Sequence, residues 1–532
     1  MEKLSSKRLT REIGGEILGG TLSLTISALI VKLLGLIYKI PLAAILTDEG
    51  MGYFNSAYTV YAFFYLLCTA GVPKAITILI SGSGREDTKI DEHRIVRVAS
   101  YSFLIIGATF GLLFIILSRP LSALIGSSRS ALSMIAIAPS VIFVSLSGVV
   151  RGYLSAKMRL AELAVSQVIE GVGRLALGLA FAMLATSLNM PLEVVSAMTI
   201  LGVTLSSGVG TLYLLISSKI KIKKENIGQS ENKLKSSRIF LRIISISIPI
   251  TASAAIMSIT NLIDLGLIMR SLGEIGYNEA EASALYGNYT TLAVPMLNLA
   301  ISLISPISVA HLPLFAEAMK SSDKAMIRNA ERGALTLSSL MSAPMMLGLC
   351  FFATEILSLL FVGSDTKIGG ALLCLLAPSI FFASLLLIVN TLLEAMGRVG
   401  VPLVSMLAGS LAKIIVSYLL ITQSDMGILG APIGTVVSYA VALIFSLIFY
   451  GRTTGRSLPI FGPVVKTHLC ALCAVMLSRI AYERLAGLLE WRISLVCCIA
   501  LAAIIYFTLT FILCITRPKE LIKMAKYTKA TR

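Results

Sequence analysis

Five basic residues of this 532-residue chain lie within segments that are otherwise almost entirely apolar: Lys32, Lys39, Lys74, Arg174 and Lys413. A basic side chain at the centre of a membrane-spanning helix costs about 2.5–3.5 kcal/mol, so it usually faces a water-filled cavity or a partner. Lysine and arginine both bind phosphate groups, and arginine does so with two parallel hydrogen bonds. The five residues therefore predict a cavity that binds a polyvalent anion, such as a phosphate or a diphosphate.

The first three of these five residues, all lysines, also have an alternative role. Lys39 lies near the outer end of its predicted helix, where its ammonium group can snorkel to the lipid headgroups. Lys32 lies seven residues earlier, about 10 Å deeper along a helix. Snorkelling is strained at that depth, so a role in the cavity is favoured for Lys32. Lys74 lies near an inner helix end and fits either role equally well.

Acidic residues in the apolar segments indicate ion pairing or ion coupling. Glu170 precedes Arg174 by one helical turn, so the two side chains can simply neutralise each other. Lys413 has no such partner in its own helix. Asp264 follows Asn261 by three residues on the same helix face, and a carboxylate beside an amide oxygen suits a sodium ion or a proton relay. The alternative for Asp264 is an ion pair with a lysine across the cavity.

The sequence lacks the motifs of an enzyme or of an ATP-driven pump. It has no carboxylate pair or nucleophile–base arrangement placed for catalysis, and no phosphate-binding GxxxxGK[ST] motif. All eight cysteines lie in apolar segments, and the CxxC pair Cys470 and Cys473 has no second cysteine pair to complete a metal site. We interpret the cysteines as packing residues. A carrier is favoured over an enzyme. It would use no cofactor, other than sodium or a proton as coupling ion.

The elements that must position these residues are membrane-spanning helices. The chain is 56% hydrophobic and 14% charged, with a mean hydropathy of +0.88, whereas soluble domains are about 25% charged. Apolar runs of about 20 residues match the thickness of a bilayer. The sequence therefore predicts an all-α polytopic membrane protein with fourteen transmembrane helices. They lie near residues 15–40, 53–80, 98–118, 131–150, 161–186, 192–218, 239–268, 284–307, 333–361, 369–393, 400–421, 427–450, 464–482 and 490–515.

The distribution of positive charge predicts the orientation of these helices. Most of the 45 lysines and arginines fall in alternate loops and in the two tails, which places both termini on the cytoplasmic side. The same distribution explains the net charge of +17 without any binding of nucleic acid. The basic stretch 219–238 is typical of a cytoplasmic linker that contacts anionic membrane lipids.

An internal repeat divides the chain. The segment APSVIFVSLSGVVRGYLSA (138–156) reappears as APSIFFASLLLIVNTLLEA (377–395), with nine of nineteen positions identical at an offset of 239 residues. The matched helices are six apart, so both copies enter the membrane from the same side, as in carriers that rock two lobes around a central site. The predicted domains are an N-terminal lobe (1–218), a linker (219–238), a C-terminal lobe (239–450), and two further helices with a basic tail (451–532).

The chain resembles a known family over essentially its whole length, and the most specific motifs lie near its start. The runs VKLLGLIYKIPLAAILTDEGMGYFNSAYTVY and CTAGVPKAITILIS are similar to the start of the stage V sporulation protein B group. This group of polysaccharide-export-type proteins belongs to the superfamily of MATE transporters, oligosaccharide flippases and lipid II flippases. The matching residues are Gly35, Tyr38 to Leu42, Asp48 to Gly50, Gly52 and Ala70 to Pro73.

The resemblance implies a flippase in the bacterial plasma membrane. Its substrate would be an undecaprenyl-linked saccharide, most simply lipid II for peptidoglycan or spore cortex, moved by alternating access between the lobes. Lipid II flippases hold the diphosphate with arginines of the first, second and eighth helices. Here the first helix offers lysines and the eighth, 284–307, has no cation. Such flippases have a sodium-binding aspartate in the seventh helix, and the resemblance implies that role for Asp264.

Two other functions are compatible with the same scaffold. A MATE-type cation or drug antiporter would depend on Asp264 or Glu170 and tolerate the loss of Lys32. A transport-inactive scaffold that recruits cell-wall synthases would depend on the 219–238 linker or on the C-terminal tail. The five buried cations favour the flippase over both alternatives.

Overall fold

The computed structural model describes residues 2–82, 92–218, 236–321, 324–398, 400–424 and 426–513. The regular structure of these ranges is helical, with eighteen α-helices in two compact units, Met1–Gly287 and Asn288–Arg532. The helices of the first unit are α1 (Glu2–Thr69), α2 (Val72–Gly82), α3 (Glu92–Ile125), α4 (Ala131–Ile137), α5 (Ser140–Ala156), α6 (Leu160–Ser187), α7 (Leu192–Ser217), α8 (Ser236–Glu274) and α9 (Glu279–Asn288). Those of the second are α10 (Val294–Ser321), α11 (Lys324–Phe351), α12 (Ala353–Leu360), α13 (Thr366–Leu376), α14 (Pro378–Ala395), α15 (Gly400–Thr422), α16 (Gly430–Thr454), α17 (Phe461–Leu485) and α18 (Trp491–Ile512).

Helices of membrane-spanning length account for most of the chain. Within the described ranges, eleven helices are long and apolar enough to cross a bilayer, or twelve if a bent pair counts as one span. Each of the fourteen predicted segments overlaps a helix. The all-helical polytopic fold is thus confirmed, while the number fourteen and the cytoplasmic placement of both termini stay predictions. Most of the predicted linker 219–238, and the tail from residue 514, lie outside the described residues.

The chain reverses direction inside α1. Thr47 breaks the helix with φ 59° and ψ 176°, a strained conformation for a β-branched residue. Lys39 and Asn55, eight residues before and after Thr47, are in contact, so α1 consists of two antiparallel arms. We expected a loop between the first two spans, over 41–52, and that expectation was wrong. The stretch stays helical on both sides of Thr47 because its apolar residues pack, and Leu42 is fully buried.

Both copies of the internal repeat contain the same helix break. α4 ends just before Ala138-Pro139 and α5 begins after it, and the two helices meet at an angle of 41°. In the second copy α13 ends just before Ala377, and α14 begins at Pro378. Proline lacks an amide hydrogen and its ring clashes with the preceding turn, so it ends the helix at the same place in each copy.

The apolar core of the first unit joins helices on both sides of the predicted linker. α8 shares with α2, α3 and α5 one cluster of buried residues: Val72, Ala75, Ile76, Leu79, Ile80, Ile95, Val96, Ala99, Phe103, Val149, Ile239 and Ile243. The compact units follow these contacts, whereas the predicted domain limits follow the repeat. The predicted lobes 1–218 and 239–450 stay predictions.

A buried ion pair holds the second unit together near the end of α16. Glu331 of α11 is 1% exposed and accepts a hydrogen bond of 2.5 Å from the Tyr450 hydroxyl. Arg456 donates a second bond of 2.6 Å to the same carboxylate. Gly455, in the left-handed conformation at φ 67°, ends α16 and brings Arg456 back toward α11. One carboxylate thereby fixes the end of α16 to α11.

Candidate functional site

Three charged side chains from two neighbouring helices meet inside the first unit. Glu170 of α6 accepts hydrogen bonds from Arg174, one turn later on the same helix, and from Arg151 of α5, each at 3.3 Å. Arg174 also donates to the hydroxyl of Tyr58 on α1 at 3.3 Å. The three charged side chains are between 18% and 24% exposed. We call Tyr58, Arg151, Glu170 and Arg174 the arginine cluster.

Two guanidinium groups share one carboxylate in the arginine cluster. The expected pairing of Glu170 with Arg174 is present, but Arg151 competes for the same group. Among the described residues, the Nε atoms of Arg151 and Arg174 are buried without a hydrogen-bond acceptor. A buried donor without an acceptor costs about 1–3 kcal/mol. A phosphate oxygen is the acceptor that guanidinium groups match best, so the cluster has the chemistry of an anion site.

Arg151 was not predicted as a membrane-embedded residue. The fourth predicted span ended at residue 150, which placed Arg151 in the inner loop. The structure continues α5 to Ala156 and so brings Arg151 beside Glu170. Its position inside the repeated segment 138–156 was the signal that the helix continues.

We expected Lys39 near the outer end of its helix. It lies instead within the first arm of α1. The arm continues to residue 46, so Lys39 precedes the break at Thr47 by eight residues, about 12 Å of helix. Its Nζ atom is 3.4 Å from Oδ1 of Asn55 on the second arm. Lys39 is half-buried at this contact between the two arms.

The other predicted site residues lie on four helices, α1, α2, α8 and α15. Lys32 on α1 and Lys74 on α2 have exposed side chains, and Lys413 is half-buried on α15 of the second unit. Asp264 is half-buried on α8, and Asn261, one turn earlier, is exposed. Binding of substrate by the lysines and of a coupling ion by Asp264 and Asn261 stays a prediction.

A row of aromatic rings continues from the arginine cluster along the second arm of α1. Phe54 stacks on Tyr58 with ring centroids 6.1 Å apart, and Tyr61 and Tyr65 follow at 5.7 and 5.8 Å. Tyr58 and Tyr65 are half-buried, so part of each ring remains open to a ligand. We call Tyr58, Tyr61 and Tyr65 the tyrosine row. The sequence signal for this surface was the spacing of the three tyrosines, which are three and four residues apart within an apolar span.

The Thr47 turn is held by polar contacts within the first unit. Glu49 accepts a hydrogen bond of 2.5 Å from the Tyr53 hydroxyl and one of 3.4 Å from Arg129. The backbone amide of Arg129 donates to Glu279 of α9 at 2.7 Å. These contacts give a structural role to Glu49 in the motif Asp48 to Gly50, on which the family resemblance partly rested.

Two glycines allow the Thr47 turn to pack directly against α9. A Cβ atom at Gly52 would clash with the backbone of Ser283, and one at Gly287 would clash with the carbonyl oxygen of Asp48. Small residues let helix backbones approach closely, which stabilises helix pairs in membranes.

Replacing Gly52 by alanine is therefore expected to destabilise the protein by about 1–3 kcal/mol, because α1 and α9 must move apart. The measurement is the midpoint of thermal unfolding of the purified protein in detergent. Gly266→Ala on α8 is the matched control, since a Cβ there meets nothing within 4 Å. Equal midpoints for the two variants would show that the close contact between α1 and α9 does not form.

The second unit contains an apolar cavity of about 330 Å³ between α10, α11, α17 and α18. Its lining includes Leu303, Pro344, Gly348, Ala471, Ala503 and Tyr506. The Tyr506 hydroxyl donates to the Leu340 carbonyl at 2.9 Å, which satisfies this polar group away from the cavity. Such a cavity suits a segment of hydrocarbon and not a charged ligand.

The chain matches two family models. A model described as "Polysaccharide biosynthesis protein" matches residues 17–319, and the MatE model matches residues 290–419. Stage V sporulation protein B of Bacillus subtilis (strain 168) is 24% identical over 518 residues, which cover 95% of this chain and 96% of that protein. Lipid II flippase MurJ of the same organism is 21% identical over 503 residues, covering 91% and 90%.

Solved structures share the fold at low sequence identity. Lipid II flippase MurJ in an inward closed conformation matches with a TM-score of 0.72 at 15% identity, over 94% of this chain and 99% of that one. An inward-facing multidrug resistance MATE family transporter matches with a TM-score of 0.63, also at 15% identity, over 82% and 97%. The chain thus has the helical membrane fold common to both groups.

Proposed function

Because this chain belongs to the polysaccharide biosynthesis protein family and is a multi-pass protein of the bacterial plasma membrane, we propose that it is a lipid-linked saccharide flippase. The proposed substrate is an undecaprenyl-diphosphate saccharide, in the first place lipid II for peptidoglycan or spore cortex, which moves from the inner to the outer leaflet. The observation that carries the proposal is the arginine cluster, where two guanidinium groups with buried Nε donors share one carboxylate.

The substrate's diphosphate is the group that the arginine cluster would bind. Arg151 and Arg174 supply donors in a partly dehydrated site, where hydrogen bonds to a charged group are stronger than in water. Lys32, Lys39 and Lys74 would attract the headgroup to the first unit, and Lys413 would do so in the second. An anion entering the site reduces the repulsion among these cations, so binding is coupled to the charge of the substrate.

The sugar and the lipid tail need surfaces of different chemistry. The tyrosine row offers flat apolar ring faces with hydroxyl groups at one end, which suits stacking on sugar rings and hydrogen bonding to their hydroxyls. Most of the polyprenyl tail would stay in the lipid phase, while the apolar cavity of the second unit suits a short segment of it.

An ion gradient or the membrane potential would reset the alternating-access cycle. Asp264, with Asn261 one turn earlier, is the proposed site for a sodium ion or a proton. Moving one charge across 100 mV supplies about 2.3 kcal/mol, enough to bias two conformations by roughly fiftyfold.

Asp264→Asn is expected to abolish the dependence of transport on the coupling gradient, since an amide neither binds a proton nor carries the charge that attracts sodium. The measurement is lipid II translocation in liposomes with and without a sodium or a proton gradient. Glu274→Gln, an exposed position on the same helix, is the matched control. A gradient effect that survives in Asp264→Asn would contradict the proposed role.

A cation or drug antiporter is the second candidate. It is favoured by the MatE match over residues 290–419 and by the shared fold of a multidrug transporter. Such a protein would transport cationic dyes, lose activity on replacement of Asp264 or Glu170, and tolerate Lys32→Ala.

The test of function is reconstitution of the full chain in liposomes that contain lipid II, with translocation measured under an imposed gradient and potential. Translocation by the wild type that is lost in Lys32→Ala would support both the substrate class and the cavity role of this lysine. Translocation that survives the substitution would make Lys32 structural. Transport of a cationic dye without translocation of lipid II would overturn the flippase in favour of the antiporter. Neither activity, in a folded protein, would favour a scaffold for cell-wall synthases.

A further inference from the structure

The segment from α11 to α13 forms an antiparallel hairpin with a regular register. Near its turn, the Ser358 hydroxyl donates to the Thr366 hydroxyl at 2.9 Å. One helical turn further from the loop, a Cβ atom at Gly370 would clash with Thr354, so the helices are in direct backbone-to-side-chain contact there. From the first pair, Ser358 and Thr366, to the second, Thr354 and Gly370, one residue moves back four positions along the chain and the other moves forward four.

The next pair in this register is two cysteines. The Sγ atoms of Cys350 and Cys374 are 3.2 Å apart, and both residues are half-buried thiols. The register follows from the length of the loop and from the N-cap of α13, where the Asp365 side chain accepts from the amides of Lys367 and Ile368. The thiols are therefore held together by the packing of the hairpin and do not meet by chance.

We propose that Cys350 and Cys374 are a redox-active dithiol that peroxide converts to a disulfide. One thiolate attacks the O–O bond of hydrogen peroxide, which breaks as the sulfur is oxidised to a sulfenic acid and a hydroxide ion leaves as water. The second thiol attacks the sulfenic sulfur, the S–S bond forms, and a second water leaves. Two thiols lose two electrons and two protons, and one peroxide is reduced to two waters.

The location of the pair would give its oxidation a structural effect. Cys374 lies eight residues into α13, about 12 Å from the hairpin turn, which the predicted orientation places outside the cell. The neighbouring residues Gly348, Leu349 and Phe352 line the apolar cavity of the second unit. A disulfide would thus fix one wall of that cavity to α13. This inference does not depend on the proposed transport activity.

The experiment uses the full-length protein in membranes. The membranes are exposed to hydrogen peroxide, the remaining thiols are blocked with N-ethylmaleimide, and the peptides are analysed by mass spectrometry without reduction. The expected product is one joined species with the peptides of Cys350 and Cys374, lighter by two hydrogen atoms than their sum. It separates on treatment with dithiothreitol. Cys374→Ala should abolish the joined species, and Cys497→Ala, an exposed cysteine outside the hairpin, should leave it unchanged.

Two results would overturn the proposal. In the first, both cysteines carry maleimide after the peroxide treatment. In the second, each is oxidised separately to a sulfinic acid and no joined peptide forms. Because the readout is covalent, the result is independent of whether the protein translocates lipid II.

Discussion

Replacing Arg174 by glutamine is expected to lower the initial rate of lipid II translocation in liposomes by at least about tenfold, because a hydrogen bond to a charged group contributes about 1.5–3 kcal/mol. Glutamine keeps a donor but loses the charge that contacts Glu170 and Tyr58. The same change at Arg151, the other guanidinium of the arginine cluster, should have an effect of similar size. The comparison is made at equal amounts of reconstituted protein.

Two further variants separate anion binding from simple pairing within the helix. Arg492→Gln is the matched control, since this exposed arginine on α18 contacts only the nearby Glu490 among the described ion pairs. The double variant Glu170→Gln with Arg174→Gln removes both charges of the pair. If the double variant recovered the wild-type rate, Arg174 would serve only to neutralise Glu170, and the proposed diphosphate site would be wrong.

Replacing Glu331 by alanine is expected to destabilise the protein by about 3–5 kcal/mol, the usual cost of removing one partner from a buried ion pair. The change would leave Arg456 without its carboxylate and the Tyr450 hydroxyl without its acceptor. We expect a lower midpoint of thermal unfolding in detergent and reduced recovery of protein from membranes.

The size of this effect can be isolated with two comparisons. Glu394→Ala, an exposed position on α14, is the matched control and should change the midpoint little. Glu331→Gln retains an acceptor for Tyr450 and should be less damaging than alanine. A Glu331→Ala protein as stable as the wild type would mean that Arg456 and Tyr450 find other partners when the carboxylate is absent.

The helices were predictable because hydropathy and bilayer thickness constrain them directly. The helical turn between the first two spans was not predictable. Residues 41–52 include acidic residues and glycines, which are typical of a loop. Their helical state depends on tertiary packing, as the contact of Gly52 with Ser283 shows. Sequence patterns report local preference, and a close backbone contact between distant segments has no local signature.

The candidate site was predictable only in part, for a related reason. Glu170 and Arg174 are one turn apart, so their pairing follows from helical geometry alone. Arg151 reaches the same carboxylate from a different helix, and its place depends on how α5 packs beside α6. The repeat extends to residue 156 and was a signal, not used in the prediction, that the helix containing Arg151 continues past residue 150; it did not indicate which acidic group Arg151 would contact.

The buried cluster that α8 shares with α2, α3 and α5 has a consequence for the biosynthesis of the protein. Synthesis proceeds from the N-terminus, so Ile239 and Ile243 leave the ribosome after the helices they cover, the last of which ends at Ala156. A nascent chain halted at residue 218 would therefore expose Val72 and Ile76 to lipid or to the insertion machinery. A chain that has emerged to residue 287 contains all residues of the first unit, so this unit can complete its packing only after α8 has been made, well beyond residue 218.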